Sequence, residues 1–104
     1  MPMPAFLRRH LIAAMLALAA GDARADDVGP EVARQLLSEG RIRPLAEILD
    51  AVKAAVPGEM VEVELELDDG TYVYEVKQLR PDGRVQEVKA DAATGKILKI
   101  EDDD

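Results

Sequence analysis

The sequence contains no cysteine, no tryptophan and a single histidine, His10. Without cysteine the chain forms no disulfide, even in an oxidising compartment. His10 lies among the first 25 residues, so the rest of the chain has neither imidazole nor thiol. This excludes a serine or cysteine nucleophile activated by histidine, and it excludes metal sites with nitrogen and sulfur ligands. The glycines of the predicted turns stand singly, so no phosphate-binding loop is present. We therefore predict that the protein is not an enzyme and needs no cofactor.

The first 25 residues have the pattern of a secretory signal peptide. Arg8 and Arg9 precede an uncharged apolar run over residues 11–20, and Ala23-Arg24-Ala25 matches the small-x-small cleavage pattern. The run is too short for the roughly 20 residues that span a bilayer. We predict cleavage between Ala25 and Asp26, a periplasmic or secreted protein, and no stable membrane association after processing. An uncleaved N-terminal anchor is the alternative.

The remaining chain is strongly acidic. Beyond residue 25 it carries ten basic and twenty acidic side chains, a net charge of −10. Nucleic acids and anionic membranes attract proteins with a positive surface, so neither is an expected partner. The charge favours solubility and basic or cationic partners.

Residues 59–79 show the most regular pattern in the chain. Apolar residues alternate with glutamates up to Leu67, and Tyr72, Tyr74 and Val76 then occupy every second position. This period of two predicts two strands, each with one buried and one solvated face. Asp69-Gly70 predicts a tight hairpin loop, since glycine accepts a positive φ. The loop sets apolar residues opposite each other: Leu67 and Tyr72, Leu65 and Tyr74, Val63 and Val76.

Two further turns extend the hairpin into a predicted four-strand antiparallel meander. A loop over residues 81–83 would pair Val76 with Val88, and Lys77 with Glu87 on the opposite face. The Asp91 carboxylate can accept hydrogen bonds from backbone N–H groups in the last turn. That turn is expected to set two pairs opposite each other: Ala90 and Leu98, Val88 and Ile100.

Two helices are predicted before the strands. Pro30 and Gly40 bound a short helix, and residues 26–29 before it are expected to be a frayed polar entry. A longer helix opens at Pro44 and stops at Pro57-Gly58. Its apolar residues share one face: Leu45, Ile48, Leu49, Val52 and Val56. The predicted fold is α+β, with one long helix packed on the meander and a short preceding helix.

The order of these elements resembles the PepSY domain family. Two stretches carry the similarity: VPGEMVEVELELDDGTYVYEVKQL and PDGRVQEVKADAATGKIL. The match covers roughly Leu45–Glu101. Lys89-Ala90 departs from the aromatic or bulkier apolar residues that often precede the last turn of the family. The resemblance implies a helix-on-sheet fold, an extracytoplasmic location and no catalytic motif. Together with the predicted signal peptide, these observations divide the chain into a signal peptide (1–25), an N-terminal segment with the short helix (26–43), a PepSY-like domain (44–101) and an acidic tail (102–104).

The resemblance leaves two kinds of function open. PepSY domains occur in propeptides of secreted metallopeptidases, where a restraining role is proposed, and this implies a module that modulates or inhibits a peptidase in trans. They also occur in envelope-associated regulatory systems. The net charge of −10 on a small exported domain motivates the alternative, a sensor or accessory protein that binds a signalling receptor or divalent cations. In either case the candidate partner-binding face consists of four glutamates: Glu62, Glu64, Glu66 and Glu75.

Overall fold

The computed structural model describes residues 25–103 and shows two helices and one antiparallel sheet. The elements follow in chain order: β1 (Asp26–Asp27), α1 (Pro30–Ser38), α2 (Leu45–Ala55), β2 (Glu59–Asp68), β3 (Thr71–Leu79), β4 (Val85–Asp91) and β5 (Ile97–Asp102). The strands lie in the order β1-β2-β3-β4-β5. Side chains of both helices share a core with one face of the sheet, so the α+β class is confirmed.

The first two hairpins have the predicted registers. Leu65 lies opposite Tyr74, and Val76 lies opposite Val88. Both loop residues of the first hairpin have positive φ, 51° at Asp69 and 80° at Gly70, as in the tight turn that matches the twist of paired strands. The alternation of apolar and polar residues therefore determined which face of each strand is buried.

The sheet has five strands rather than the predicted four, because Asp26 and Asp27 are not a frayed entry. They pair with Leu67 and Glu66 of β2, and the Val28 N–H donates to the Leu65 carbonyl at 2.8 Å. Two consecutive aspartates carry no alternation that marks a strand. Their pairing comes from the unpaired backbone groups that the edge of β2 offers.

The last strand differs from its predicted register at one end. Val88 lies opposite Ile100 as expected, but Ala90 lies opposite Ile97 and not opposite Leu98. The register shifts between Lys89 and Ala90 of β4, which leaves Leu98 exposed. Such a bulge adds a residue to one strand of a pair, and no periodicity in the sequence predicts it.

The predicted acidic tail is shorter than expected. Asp102 is the last residue of β5, and its carboxylate accepts a hydrogen bond from the Gln86 amide at 3.1 Å. The Asp103 N–H donates to the Val85 carbonyl at 3.0 Å. Residue 104 lies outside the described residues.

The helices are more alike in length than the predicted long and short pair, since α1 has 9 residues and α2 has 11. α1 ends at Ser38, and the φ of 70° at Gly40 reverses the chain beyond it. Two hydrogen bonds close this end: Gly40 N–H donates to Leu37 O and Arg41 N–H donates to Leu36 O. Of the apolar stripe on α1, Leu36 is buried while Val32 and Leu37 are half-exposed. α1 therefore docks mainly through Leu36, beside which the half-buried Ala33 packs against the core.

The segment between the helices is tied to the β4–β5 turn. The Arg43 N–H donates to the Ala92 carbonyl at 2.8 Å, and the Arg43 side chain donates to Ala93 O at 3.1 Å. Ile42 is buried in the same core as Ile48 of α2. The segment before position 44 and the predicted PepSY-like domain after it thus share a single hydrophobic core.

The end of α2 meets β3 at a close backbone crossing. The buried Gln78 side chain donates to the Val56 carbonyl at 3.2 Å. A Cβ atom at Gly58, where φ is 151°, would lie 2.3 Å from the Leu79 carbonyl oxygen. Only glycine fits this position.

No helix in residues 25–103 is long and apolar enough to cross a bilayer.

Candidate functional site

All four glutamates of the predicted partner-binding face lie on the sheet face that points away from the helices. Glu62, Glu64 and Glu66 alternate along β2 with the core-facing residues, and Glu75 of β3 lies directly opposite Glu64. Glu62, Glu64, Glu75 and Lys77 line a shallow depression with a volume of about 100 Å³. Ligand pockets for small molecules usually measure about 300–1,000 Å³. The depression has room for one side chain or a few water molecules.

Two further carboxylates extend this surface, and the sequence analysis did not assign either to the site. Asp27 lies opposite Glu66 through the β1 pairing, and its carboxylate is within 4.8 Å of those of Glu64 and Glu66. Glu87 of β4 lies opposite Lys77 and diagonally from Glu75, and it is close enough to influence the ionisation of Glu75. The predicted register of the second hairpin already placed Glu87 on this face, whereas no sequence signal could place Asp27 there. We call these six carboxylates the acidic face: Asp27, Glu62, Glu64, Glu66, Glu75 and Glu87.

One end of the acidic face is balanced by a lysine. The Lys77 ammonium lies 3.1 Å from the Glu62 carboxylate and 3.4 Å from that of Asp103. The hydrogen bond to Glu62, followed by the charge of Asp103, raises the pKa of Lys77. Glu62 is therefore already paired, in contrast to the carboxylates nearer β1.

Two acids in the middle of the acidic face hold their protons more tightly than usual. Partial burial is the main cause that raises the pKa of Glu75, and the neighbouring Glu66 carboxylate adds to it. Burial also raises the pKa of Glu87, followed by its contact with Glu75. Lys89 opposes both shifts. The crowding of carboxylates thus makes their ionisation costly, which favours cationic groups that could bind beside them.

An apolar residue of β3, Val73, lies beside the acidic face on the outer side of the sheet. Val73 is opposite Glu66 on that side, yet it is only 3% exposed. The Glu66 residue beside it is only 7% exposed. The prediction that this face is solvated is therefore wrong at this position.

The predicted signal peptide lies outside the described residues except for its last position. Ala25 is the first residue that the structure describes, and Asp26 begins β1. Cleavage between Ala25 and Asp26 stays a prediction.

A helical layer on one face of an antiparallel sheet and a charged second face define this protein as a small two-layer α+β domain. Within that class the chain belongs to the PepSY family, since the family model described as peptidase propeptide and YPEB domain matches residues 44–101. This confirms the resemblance noted from the sequence. PepSY domains are generally non-catalytic propeptide or regulatory modules and occur in exported proteins.

Neither the curated proteins nor the solved structures contain a significant match to this chain. The matched range includes α2, β2–β4 and all of β5 except Asp102, while β1 and α1 lie outside it. Asp27 is thus a feature of this chain that the family model does not cover.

Proposed function

We propose that this protein is an exported, non-catalytic PepSY module that binds a peptidase in trans and inhibits it through the acidic face. The observation that carries the proposal is the family match over residues 44–101, because the family is described by its occurrence in peptidase propeptides. In this proposal the restrained enzyme is a separate molecule.

The acidic face supports this proposal by its charge and its position. It lies on the sheet surface away from the helices, so a partner can approach without disturbing the core. Its depression has room for one basic side chain beside Glu64 and Glu75. Complementary charge accelerates association and excludes wrong partners. The expected partner surface is therefore basic.

Inhibition of secreted peptidase activity tests the proposal. The purified protein would be added to the extracytoplasmic peptidases of the source organism, with a peptide substrate as the readout. We expect saturable inhibition at micromolar protein concentrations. Unchanged activity across that range would contradict the proposal.

The control must separate inhibition from metal sequestration, because an acidic protein can withdraw calcium from a metallopeptidase. Each assay would therefore contain calcium and zinc in large molar excess over the protein. Inhibition that disappears under this excess would also contradict binding to the peptidase.

A further inference from the structure

The strand at one end of the sheet, β5, has a free edge. Within residues 25–103 it pairs with β4 on one side and has no strand neighbour on the other. The Asp103 N–H donates to the Val85 carbonyl, and hydrogen-bonded positions alternate along antiparallel strands. Glu101 and Lys99 therefore also direct their backbone groups to β4, whereas Ile100 between them directs its own to the free edge. Unpaired N–H and C=O groups of this kind are a template for another strand.

The side chains of β5 are apolar on one face of the sheet and charged on the other. Ile100 lies opposite Val88, which is fully buried, yet Ile100 itself is 44% exposed. Leu98 is 48% exposed. Lys99 and Glu101 point to the face opposite that of Ile100, since successive side chains of a strand alternate. The helices thus leave two large apolar side chains half-exposed beside the free edge.

The charged residues of β5 lie opposite like charges on β4. Lys99 is opposite Lys89, and Glu101 is opposite Glu87. Like charges directly opposite each other destabilise a pair of strands, whereas opposite charges stabilise it. Within the chain, Lys99 is 3.4 Å from Glu101 at the exposed surface. A strand on the free side of β5 could therefore offer both residues the opposite charges that β4 does not supply.

A second copy of β5 offers those charges in one register. Antiparallel pairing about a twofold axis beside Ile100 joins the outward backbone groups of Ile100 to those of the same residue in the second copy. Lys99 then lies opposite Glu101 of the partner subunit, and Glu101 lies opposite Lys99 of the partner subunit. An axis at Lys99 would bring two lysines together, and an axis at Glu101 two glutamates. Charge complementarity therefore selects the axis at Ile100.

The remaining carboxylates near this register are either paired within their own chain or distant. Asp102 accepts a hydrogen bond from the Gln86 amide, and the Asp103 carboxylate lies 3.4 Å from the Lys77 ammonium. The glutamates of β2 lie three strands away from β5, which is about 14 Å at the usual spacing of strands. This distance exceeds the Debye length of about 8 Å at physiological ionic strength. Their repulsion across the pair is therefore largely screened.

The opposite edge of the sheet is unsuited to self-pairing. β1 covers only two residues of β2. The part of β2 that β1 leaves uncovered, residues 59–65, carries three glutamates and no basic residue. Its register also shifts between Met60 and Glu62. Charges and bulges of this kind protect an edge strand from pairing with another chain.

We propose that β5 is a self-association surface, through which two copies of this chain join their sheets into one continuous antiparallel sheet. β5 has only 6 residues, and interfaces smaller than about 1,200 Å² are typical of weak complexes. We expect a dissociation constant of about 10⁻⁵–10⁻⁴ M. The proposal does not depend on the proposed inhibition of a peptidase.

Sedimentation equilibrium of the purified protein, from about 1 μM to about 1 mM, tests the pairing. We expect the mean mass to rise toward that of a dimer and no further, because twofold pairing of one edge is closed. A monomer throughout this range would overturn the proposal and leave the edge to a strand of another protein. Assembly beyond the dimer would also overturn it.

Reversal of single charges tests the register. Lys99→Glu and Glu101→Lys each set like charges opposite each other at both cross-strand pairs of the dimer, so each should weaken dimerisation by about tenfold or more. Each also removes a like-charge pair with β4, so the monomer should stay folded. Lys53→Glu makes the same change of charge at an exposed position of α2 and should weaken dimerisation by less than about twofold.

A mixture of the two reversed proteins separates this register from any other mode of association. In a dimer of one Lys99→Glu chain and one Glu101→Lys chain, both cross-strand pairs again join opposite charges. We therefore expect the mixture to dimerise at least as strongly as the wild type, although each variant alone does not. A mixture that stays monomeric would overturn the proposal. Equal weakening by Lys99→Glu and by Lys53→Glu would overturn it as well.

Discussion

Single residues in this domain are constrained by close backbone contacts and by crowded charge. At Gly58 the chain passes the Leu79 carbonyl so closely that no side chain fits, and its φ is in a region that favours glycine. On the opposite side of the sheet, Glu75 and Glu87 lie together and both resist ionisation. Each constraint leads to a prediction about one substitution.

Gly58→Ala should destabilise the fold because its Cβ would lie 2.3 Å from the Leu79 carbonyl oxygen. We expect a loss of about 2–4 kcal/mol in the free energy of unfolding, typical of severe backbone conflicts. Urea denaturation followed by circular dichroism would measure it. Gly29→Ala is the matched control, since a Cβ there meets nothing within 4 Å and should change stability by less than about 0.5 kcal/mol. Similar effects of both substitutions would contradict the close contact.

Glu87→Gln should stabilise the protein at neutral pH and not in acid. Burial and the Glu75 carboxylate, reinforced by Glu101, raise the folded-state pKa of Glu87 above its reference of 4.5, while Lys89 lowers it. The folded protein then binds this proton more tightly than the unfolded chain does. The stability from protonation is present below about pH 4.5 and is lost as the pH rises through the folded-state pKa.

The glutamine side chain cannot ionise, so the variant does not lose stability as the pH rises through the folded-state pKa of Glu87. We expect a gain of about 0.5 kcal/mol at pH 7, the size of an exposed charge interaction, which disappears near pH 3.5. Urea titrations of both proteins from about pH 3.5 to pH 7 would measure the difference. A gain that is equal at both ends of this range would show that ionisation is not the cause.

At the scale of elements, periodic segments were predicted well and contacts made only in the folded state were not. Alternating residues in β2 and β3 and the Asp69-Gly70 turn specify their register, which the structure confirms. β1 has two aspartates and no periodicity, so only the edge of β2 determines it. The four predicted glutamates therefore meet on one face, while Asp27 and the burial of Glu66 could not be anticipated.

The docking of α1 depends mainly on one large apolar side chain, that of Leu36. Leu36 is 3% exposed, and its neighbour Leu37 is 45% exposed. Leu36→Ala should lower the free energy of unfolding by about 2–4 kcal/mol, because it leaves a cavity in the core. Leu37→Ala should change it by less than about 0.5 kcal/mol. Chemical denaturation of the two variants would measure both values, and equal effects would contradict a docked α1.

At the scale of the whole molecule, one sheet performs two separate tasks. Its inner face supports a single core to which both helices contribute, without any disulfide. Its outer face carries the acidic face, and the chain from residue 26 onwards has a net charge of −10. Because the two faces are separate, charge on the outer face can change without loss of the core. The proposed inhibition can therefore be tested by substitution without unfolding the protein.

The most direct test of that function compares the inhibition constants of two doubly substituted proteins against the same peptidase. Glu62→Gln with Glu75→Gln removes two charges from the acidic face. Glu39→Gln with Asp50→Asn removes the same charge from exposed positions on the helical side. We predict that the first variant inhibits about tenfold more weakly, a change of about 1.4 kcal/mol, and that the second inhibits as the wild type does. Equal inhibition by both variants would contradict a peptidase-binding role for the acidic face.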